Sequence, residues 1–139
     1  MRVVADTNVI VSMLLWGGAL ERLFVLVNRR KVVLCFSPST IEELFRVVGY
    51  GKIIKQSQKM NIPIVELLDK LIASSEIVYP EVRLSIVPKD QSDSRILETA
   101  LEARVDFVIT GDNHLLQLES FRSITILSPA EFLKNYAIK

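Results

Sequence analysis

The sequence predicts an α/β fold in which helices cover both faces of a central, mainly parallel sheet of about five strands. Two observations lead to this class: short β-rich runs alternate with helical patterns along the chain, and the β-rich runs show no clean period of two. Strands that are covered on both faces lack that period, and regular alternation of strands with helices is typical of parallel sheets.

The predicted strands are five short runs rich in β-branched and other apolar residues. They lie at 2–5, 32–36, 77–79, 106–110 and 124–127. The first run, within VVADTN, ends directly in an acidic residue, Asp6, which is followed by two short polar side chains. A carboxylate at the mouth of a buried strand therefore needs an explanation.

Helical patterns separate these runs, at 8–15, 19–30, 40–48, 63–74, 94–104, 113–118 and 129–136. Apolar residues recur three and four positions apart most clearly at 63–74 and 94–104. Gly17-Gly18 is predicted to end the first helix, and capping residues precede the third and the last. The Gln- and Lys-rich segment 52–63 is predicted to be a helix and a turn that project from the body.

Length and composition indicate a single domain over residues 1–139. At 139 residues, half of them apolar, the chain is long enough for one compact core and too short for two comfortable domains. No apolar run approaches about 18 residues and no signal-peptide pattern is present, so we expect a soluble, cytoplasmic protein that does not enter a membrane. The only cysteine, Cys35, is predicted to be a core residue. The net charge of +1 neither favours nor excludes a polyanionic partner.

Acidic residues recur where the predicted strands end and the following helices begin. Asp6 follows the first strand and Asp112 the fourth, while the helices after the second and third strands open with Glu42-Glu43 and Asp93. In an open parallel sheet all these positions lie toward the carboxyl ends of the strands, where ligands bind. The sequence therefore predicts that four acids distant in the chain meet in one pocket.

A cluster of carboxylates requires a counter-ion. Two carboxylates about 4 Å apart repel each other by about 4 kcal/mol at an effective dielectric constant of about 20. Oxygen ligands without a nearby Cys/His set favour a hard cation, Mg²⁺ or Mn²⁺, and such an ion suits metal-assisted hydrolysis of a phosphodiester. The lone histidine, His114, is predicted to be a surface or loop residue that at most contacts substrate phosphate.

Each acid also has a local interpretation that the pattern leaves open. Asp6 can be the N-cap of the first helix, Asp93 can take part in local capping with Asp90, and Asp112 can belong to an ordinary turn. The apolar stripe of the third helix excludes both Glu42 and Glu43 and does not choose between them.

The order of these motifs resembles the PIN domain family, and in particular its toxin-like branch of bacterial and archaeal toxin–antitoxin ribonucleases. The resemblance covers nearly the whole chain and rests on four motifs: Ala5-Asp6-Thr7-Asn8, Ser37-x-x-Thr40-x-x-Glu43-Leu44, Asp90-x-x-Asp93-x-x-Ile96-Leu97-x-x-Ala100 and Val108-Ile109-Thr110-Gly111-Asp112. It implies a three-layer α/β/α sandwich and Mg²⁺- or Mn²⁺-dependent endonucleolytic cleavage of single-stranded RNA. It also implies an antitoxin partner and a homodimer.

The resemblance further implies a role for individual residues. Four acids match the positions that hold the metal and carry catalysis, and here the family spacing selects Glu43 over Glu42: Asp6, Glu43, Asp93 and Asp112. Four further residues match or adjoin the supporting polar positions that orient these carboxylates: Thr7, Asn8, Asp90 and Thr110.

Two other functions remain open at this point. The first is a non-catalytic module of the same fold that binds RNA or a protein partner. The second is a small-molecule phosphatase that uses Asp6 as its nucleophile. That chemistry expects a second acid two residues further on, where this sequence has Asn8.

Overall fold

A six-stranded sheet lies at the centre of the described structure. The computed structural model describes residues 1–16, 19–84 and 91–136. In these ranges the strands are β1 (Arg2–Ala5), β2 (Val33–Phe36), β3 (Glu76–Ile77), β4 (Phe107–Ile109), β5 (Ser120–Phe121) and β6 (Ile124–Leu127). Their order is β3-β2-β1-β4-β6-β5, and every neighbouring pair is parallel except β5 with β6. The mostly parallel sheet confirms the predicted fold class.

Helices connect the strands, and in the described ranges there are eight of them. They are α1 (Thr7–Leu15), α2 (Ala19–Asn28), α3 (Pro38–Val48), α4 (Gly51–Lys59), α5 (Ile64–Ala73), α6 (Gln91–Ala103), α7 (Asn113–Leu116) and α8 (Pro129–Tyr136). None of these helices is both long enough and apolar enough to cross a membrane.

Side chains of the central strands alternate between two apolar clusters, one on each face of the sheet. In β1, Val3 and Ala5 belong to the first cluster and Val4 to the second. The first cluster includes residues of α1, α2, α3, α5 and α8, whereas the second includes residues of α6 and α7. Both faces are therefore covered, as in a three-layer α/β/α sandwich. Cys35 is 1% exposed, which confirms that it is a core residue, and its burial raises the pKa of the thiol.

The strand β5 was absent from the sequence prediction. It forms a hairpin with β6 through Arg122 and Ser123, whose φ angles are 47° and 74°. Positive φ at both central residues is typical of a tight two-residue hairpin turn, which favours Asn and Gly. The Arg-Ser pair carries no such signal, so the hairpin could not be seen in the sequence.

Capping interactions fix the starts of α3 and α8. The helix α3 begins at Pro38, two residues earlier than predicted, because Ser37 and Thr40 form a reciprocal capping box. The predicted box at the last helix is confirmed, since Ser128 and Glu131 exchange hydrogen bonds of 3.2 and 3.1 Å. The predicted break at Gly17-Gly18 lies outside the described residues.

Candidate metal centre

A cleft of about 500 Å³ opens at the carboxyl ends of the central strands. Its walls come from the first turn of α1, from α3, from α6, from Arg83 and from the loop that follows β4. Four acidic side chains from these separate segments line it: Asp6, Glu43, Asp93 and Asp112. Acids that lie far apart in the sequence therefore share one concave surface.

Asp6 lies between β1 and α1 and makes two side-chain hydrogen bonds. Its Oδ1 accepts a hydrogen bond of 3.1 Å from the backbone N–H of Val9, so Asp6 is the N-cap of α1. Its Oδ2 accepts a hydrogen bond from the hydroxyl of Thr110. The capping interpretation is thus correct, and it does not compete with a place in the cleft, because the same carboxylate does both.

Burial raises the pKa of Asp6 above its ordinary value of 3.8. The negative charge of Asp112 raises this pKa further, while hydrogen bonds from Thr110 and from the backbone N–H groups of Val9 and Asn8 lower it. Desolvation prevails because an anion loses more by leaving water than these donors return. A bound cation would reverse the balance, since it favours the charged carboxylate.

Thr110 connects two of the acids. Its side chain is fully buried, its hydroxyl donates to Asp6, and its Oγ1 accepts a hydrogen bond of 3.0 Å from the backbone N–H of Asp112. The carboxylate of Asp112 in turn caps α7, because it accepts a hydrogen bond of 2.8 Å from the backbone N–H of His114. One buried hydroxyl thereby fixes the relative positions of the β1 and β4 ends of the cleft.

Asp93, Asp112 and His114 come close enough to share one ion. Asp93 lies in the first turn of α6 and is 5% exposed, and one ligand atom from each of the three residues lies within 4.8 Å of the others. His114 is exposed, as predicted, yet its Nδ1 is 3.8 Å from Oδ1 of Asp112. The sequence pattern gave no reason to place this histidine among the metal-binding groups.

Glu43 lines the cleft from α3, and its neighbour Glu42 does not. Glu43 is partly buried and forms an ion pair with Arg46 one turn further along the helix. Glu42 is exposed. The choice between the two acids, which periodicity left open, corresponds to a difference in the direction of their side chains.

A hydroxyl network holds α3 against α6. The buried Ser37 lies 2.8 Å, oxygen to oxygen, from Thr99 in the middle of α6, and it also caps α3 together with Thr40. Because Glu43 lies on α3 and Asp93 on α6, this network sets the distance between two walls of the cleft. Thr99 was not singled out in the sequence.

The remaining predicted residues fall into two groups. Thr7 and Asn8 line the cleft beside Asp6, and Thr110 lies beneath it. Asp90 lies outside the described residues. Three arginines that the sequence analysis did not select also line the cleft: Arg46, Arg83 and Arg95.

The donor set fits a hard divalent cation. Carboxylate oxygens predominate, and among the described residues the imidazole of His114 lies close enough to Asp93 and Asp112 to add a nitrogen ligand. Mg²⁺ and Mn²⁺ prefer such oxygen ligands. Asp6, a partly buried carboxylate with a raised pKa, is also a group that gains from a nearby positive charge.

One comparison with known proteins bears on this site. A family model described as PIN domain matches residues 2–114, a range that runs from the start of β1 into α7 and includes all four acids. No curated protein matches the chain with significant similarity.

Proposed function

The chain belongs to the PIN domain family, and from this premise we propose that it is a divalent-metal-dependent ribonuclease that hydrolyses phosphodiester bonds in single-stranded RNA. PIN domains are usually nucleases and generally bind divalent metal ions. The observation that carries the proposal is the shared cleft of the four acids Asp6, Glu43, Asp93 and Asp112. We further propose that the protein is the toxin of a cytoplasmic toxin–antitoxin pair and that it forms a homodimer. Both statements rest on the resemblance of its motifs.

In this proposal the four carboxylates hold Mg²⁺ or Mn²⁺, and the neighbouring polar groups orient them. A bound ion of this kind lowers the pKa of a coordinated water and stabilises negative charge on a phosphoryl oxygen. Thr110 holds Asp6 and Asp112 in register through its two hydrogen bonds. Thr7 and Asn8 offer further polar groups to the substrate or to water at the same wall. Neither a covalent intermediate nor a histidine base is required.

The phosphatase alternative finds little support in the surroundings of Asp6. Besides its nucleophile, such a phosphatase needs an acid that protonates the leaving group. The position that should supply the leaving-group acid is Asn8. A non-catalytic binding module is the other alternative, and the following experiment separates it from the nuclease.

The test is cleavage of an end-labelled single-stranded RNA by the purified protein in Mn²⁺ and in EDTA. We expect cleavage in Mn²⁺, none in EDTA, and none in Asp93→Asn. A matched control is Asp69→Asn, the same substitution at an exposed position of α5, which should cut like the wild type. Cleavage that persists in Asp93→Asn would mean a different site or a contaminant. A wild type that binds Mn²⁺ and RNA without cutting would favour the binding module.

A further inference from the structure

We propose that Arg95, together with Arg83, binds a phosphate of the RNA strand beside the metal centre, and that the buried Glu98 is the residue that positions Arg95. The inference rests on the proposed function in that it takes the substrate to be RNA. It assigns a role to the arginines that line the cleft, whereas the proposed function uses the acidic residues.

Glu98 is an acidic residue in the protein interior, where such side chains are rare unless they are paired. This residue of α6 is 3% exposed, and its Oε2 accepts hydrogen bonds of 2.6 Å from the backbone N–H of Leu84 and 2.7 Å from Nη2 of Arg95. A buried carboxylate is retained only when its partners satisfy it. Glu98 therefore joins α6 to the backbone at Leu84 and fixes the guanidinium of Arg95 between them.

Arg95 is held rigidly, and it still has donors to offer. Its Nη2 also donates a 3.0 Å hydrogen bond to the carbonyl of Leu84, and only 15% of its side chain is exposed. Its Nε is buried and has no hydrogen-bond partner among the described residues. A guanidinium carries five N–H donors in a planar fork that matches phosphate oxygens. The buried Nε cannot reach a ligand in the cleft, so the donors that remain for a phosphate are on the outer part of the fork, where the contacts to Leu84 and Glu98 use Nη2. Because these contacts already hold Arg95 in place, little side-chain entropy is left to lose on binding.

Arg83 adds a second, more exposed charge to the same wall. Its side chain is 77% exposed, its Nη1 lies 3.9 Å from Oε1 of Glu98, and it lines the cleft. Glu98 is thus the partner of two guanidinium groups, so these three side chains together keep a net positive charge. Arg46, the third arginine at the cleft, is paired with Glu43 on another wall. Arg83 and Arg95 therefore form the side from which a polyanion is attracted.

The position of this pair suits a phosphate next to the scissile one. Arg95 follows Asp93 by two residues on α6, so the cation and the acid lie on the same helix end. Four carboxylates repel RNA on their own, and an arginine fork beside them offsets that repulsion where the strand passes. A substrate with phosphates on both sides of the cut then contacts the metal centre and the arginines at the same time.

A purely structural role for Arg95 is the competing explanation. Arg95 could serve only as the counter-ion of Glu98, in which case its removal would matter for stability and not for RNA. The double variant Arg95→Gln/Glu98→Gln separates the two roles, because it removes the buried charge together with its partner. Stability should then return toward that of the wild type, whereas a lost phosphate contact cannot return.

The experiment measures binding of a fluorescent single-stranded RNA by anisotropy in EDTA, across a range of salt concentrations, together with the Tm of each variant. Arg95→Gln should weaken binding about tenfold and reduce the slope of log affinity against log salt by about 0.7, the value for one lost phosphate contact on a single strand. The same loss should persist in the double variant, and Arg83→Gln should give a smaller loss. Arg22→Gln, an exposed arginine of α2 outside the cleft, should bind like the wild type.

Glu98→Gln tests the positioning role by itself. Removal of a negative charge should strengthen binding to RNA if charge alone mattered, so weaker binding at an unchanged Tm indicates lost positioning of Arg95. Affinity at or above the wild-type level would overturn that role.

The outcomes also separate this inference from the proposed function. Wild-type affinity in Arg95→Gln, recovery of affinity in the double variant, or no RNA binding by the wild type would overturn the phosphate-binding role. If either of the first two results came with cleavage of RNA in Mn²⁺, the proposed nuclease function would still hold. RNA binding that depends on Arg95, without cleavage in Mn²⁺, would support the phosphate-binding role and overturn the nuclease.

Discussion

The hydroxyl of Thr110 donates a hydrogen bond to Asp6, and this bond joins the end of β4 to the end of β1 across 104 positions of sequence. It forms because β1 and β4 are parallel neighbours, with Ala5 in register with Ile109. The residue that follows each strand therefore points to the same place. A hydroxyl at this site supports both the fold and the acidic cleft.

Replacement of Thr110 by Val should lower both the stability of the fold and the affinity of the cleft for Mn²⁺. Valine has nearly the same shape but leaves the backbone N–H of Asp112 without its acceptor, which should cost about 1–3 kcal/mol in the free energy of unfolding. Loss of the bond to Asp6 should also reduce Mn²⁺ affinity by about 10- to 100-fold. Urea denaturation and titration calorimetry measure the two effects. Thr110→Ser keeps the hydroxyl and is the control, and equal Mn²⁺ affinity in Val and Ser variants would contradict the orienting role.

Asp6 combines a capping role with a place in the cleft, and two substitutions separate them. Asp6→Asn keeps an oxygen that accepts from Val9 N–H, so α1 should remain capped while RNA cleavage falls by more than about a hundredfold. Asp6→Ala removes the cap as well and should lower the free energy of unfolding by about 0.5–2 kcal/mol relative to Asp6→Asn. Cleavage assays and urea denaturation of both variants measure the difference. Wild-type cleavage by Asp6→Asn would exclude Asp6 from the metal centre.

The raised pKa of Asp6 makes the stability of the metal-free protein depend on pH. Between the ordinary value of 3.8 and the higher value in the folded state, the folded protein binds more protons at this site than the unfolded chain does. Stability therefore falls as pH rises through that interval, and the penalty remains at neutral pH. Asp6→Asn lacks this penalty.

The measurement is the difference in unfolding free energy between Asp6→Asn and wild type, in EDTA, from about pH 4 to about pH 8. The difference should shift in favour of Asp6→Asn as pH rises and then level off. Contributions from all other groups are shared and largely cancel. Addition of Mn²⁺ should favour the wild type alone, since it stabilises the ionised carboxylate. A difference that shifts toward the wild type with rising pH in EDTA would contradict a raised pKa.

Much of this architecture can be predicted from the sequence because it depends on local patterns. Strand and helix alternation determines the layers, and the positions of Asp6 and Asp112 follow from where the strands end. Capping residues such as Ser37 and Ser128 mark the helix starts through hydrogen bonds to residues three positions away. These features need no knowledge of which strands are neighbours.

The rest depends on contacts that the sequence does not encode locally. The bond between Ser37 and Thr99 joins two helices across 62 positions, and the bond from Leu84 to Glu98 fixes a loop on a helix. Glu98 looks like an ordinary polar residue of a half-exposed helix until its burial is known. The role proposed for Arg95 depends on that burial, so this arginine could not be selected from the sequence.

Glu42 and Glu43 provide the sharpest internal test of the cleft, because they are adjacent, chemically identical and differ in direction. The helix α3 carries Glu43 toward the cleft and leaves Glu42 exposed. Glu43→Gln should therefore lower Mn²⁺ affinity by about tenfold or more, since a neutral amide replaces a charged ligand. Glu42→Gln should leave affinity and cleavage unchanged.

Stability should not distinguish these two variants. The ion pair between Glu43 and Arg46 is partly exposed, so its loss should cost less than about 1 kcal/mol, and an exposed substitution such as Glu42→Gln should stay within about 0.5 kcal/mol. Mn²⁺ affinity is measured by titration calorimetry, and RNA cleavage is assayed on the same two variants. Because the variants should have nearly equal Tm, a difference in either measurement is due to the direction of the side chain and not to stability. If Glu42→Gln lost Mn²⁺ affinity and Glu43→Gln kept it, α3 would have to be rotated relative to α6, and the acidic wall would contain the other glutamate.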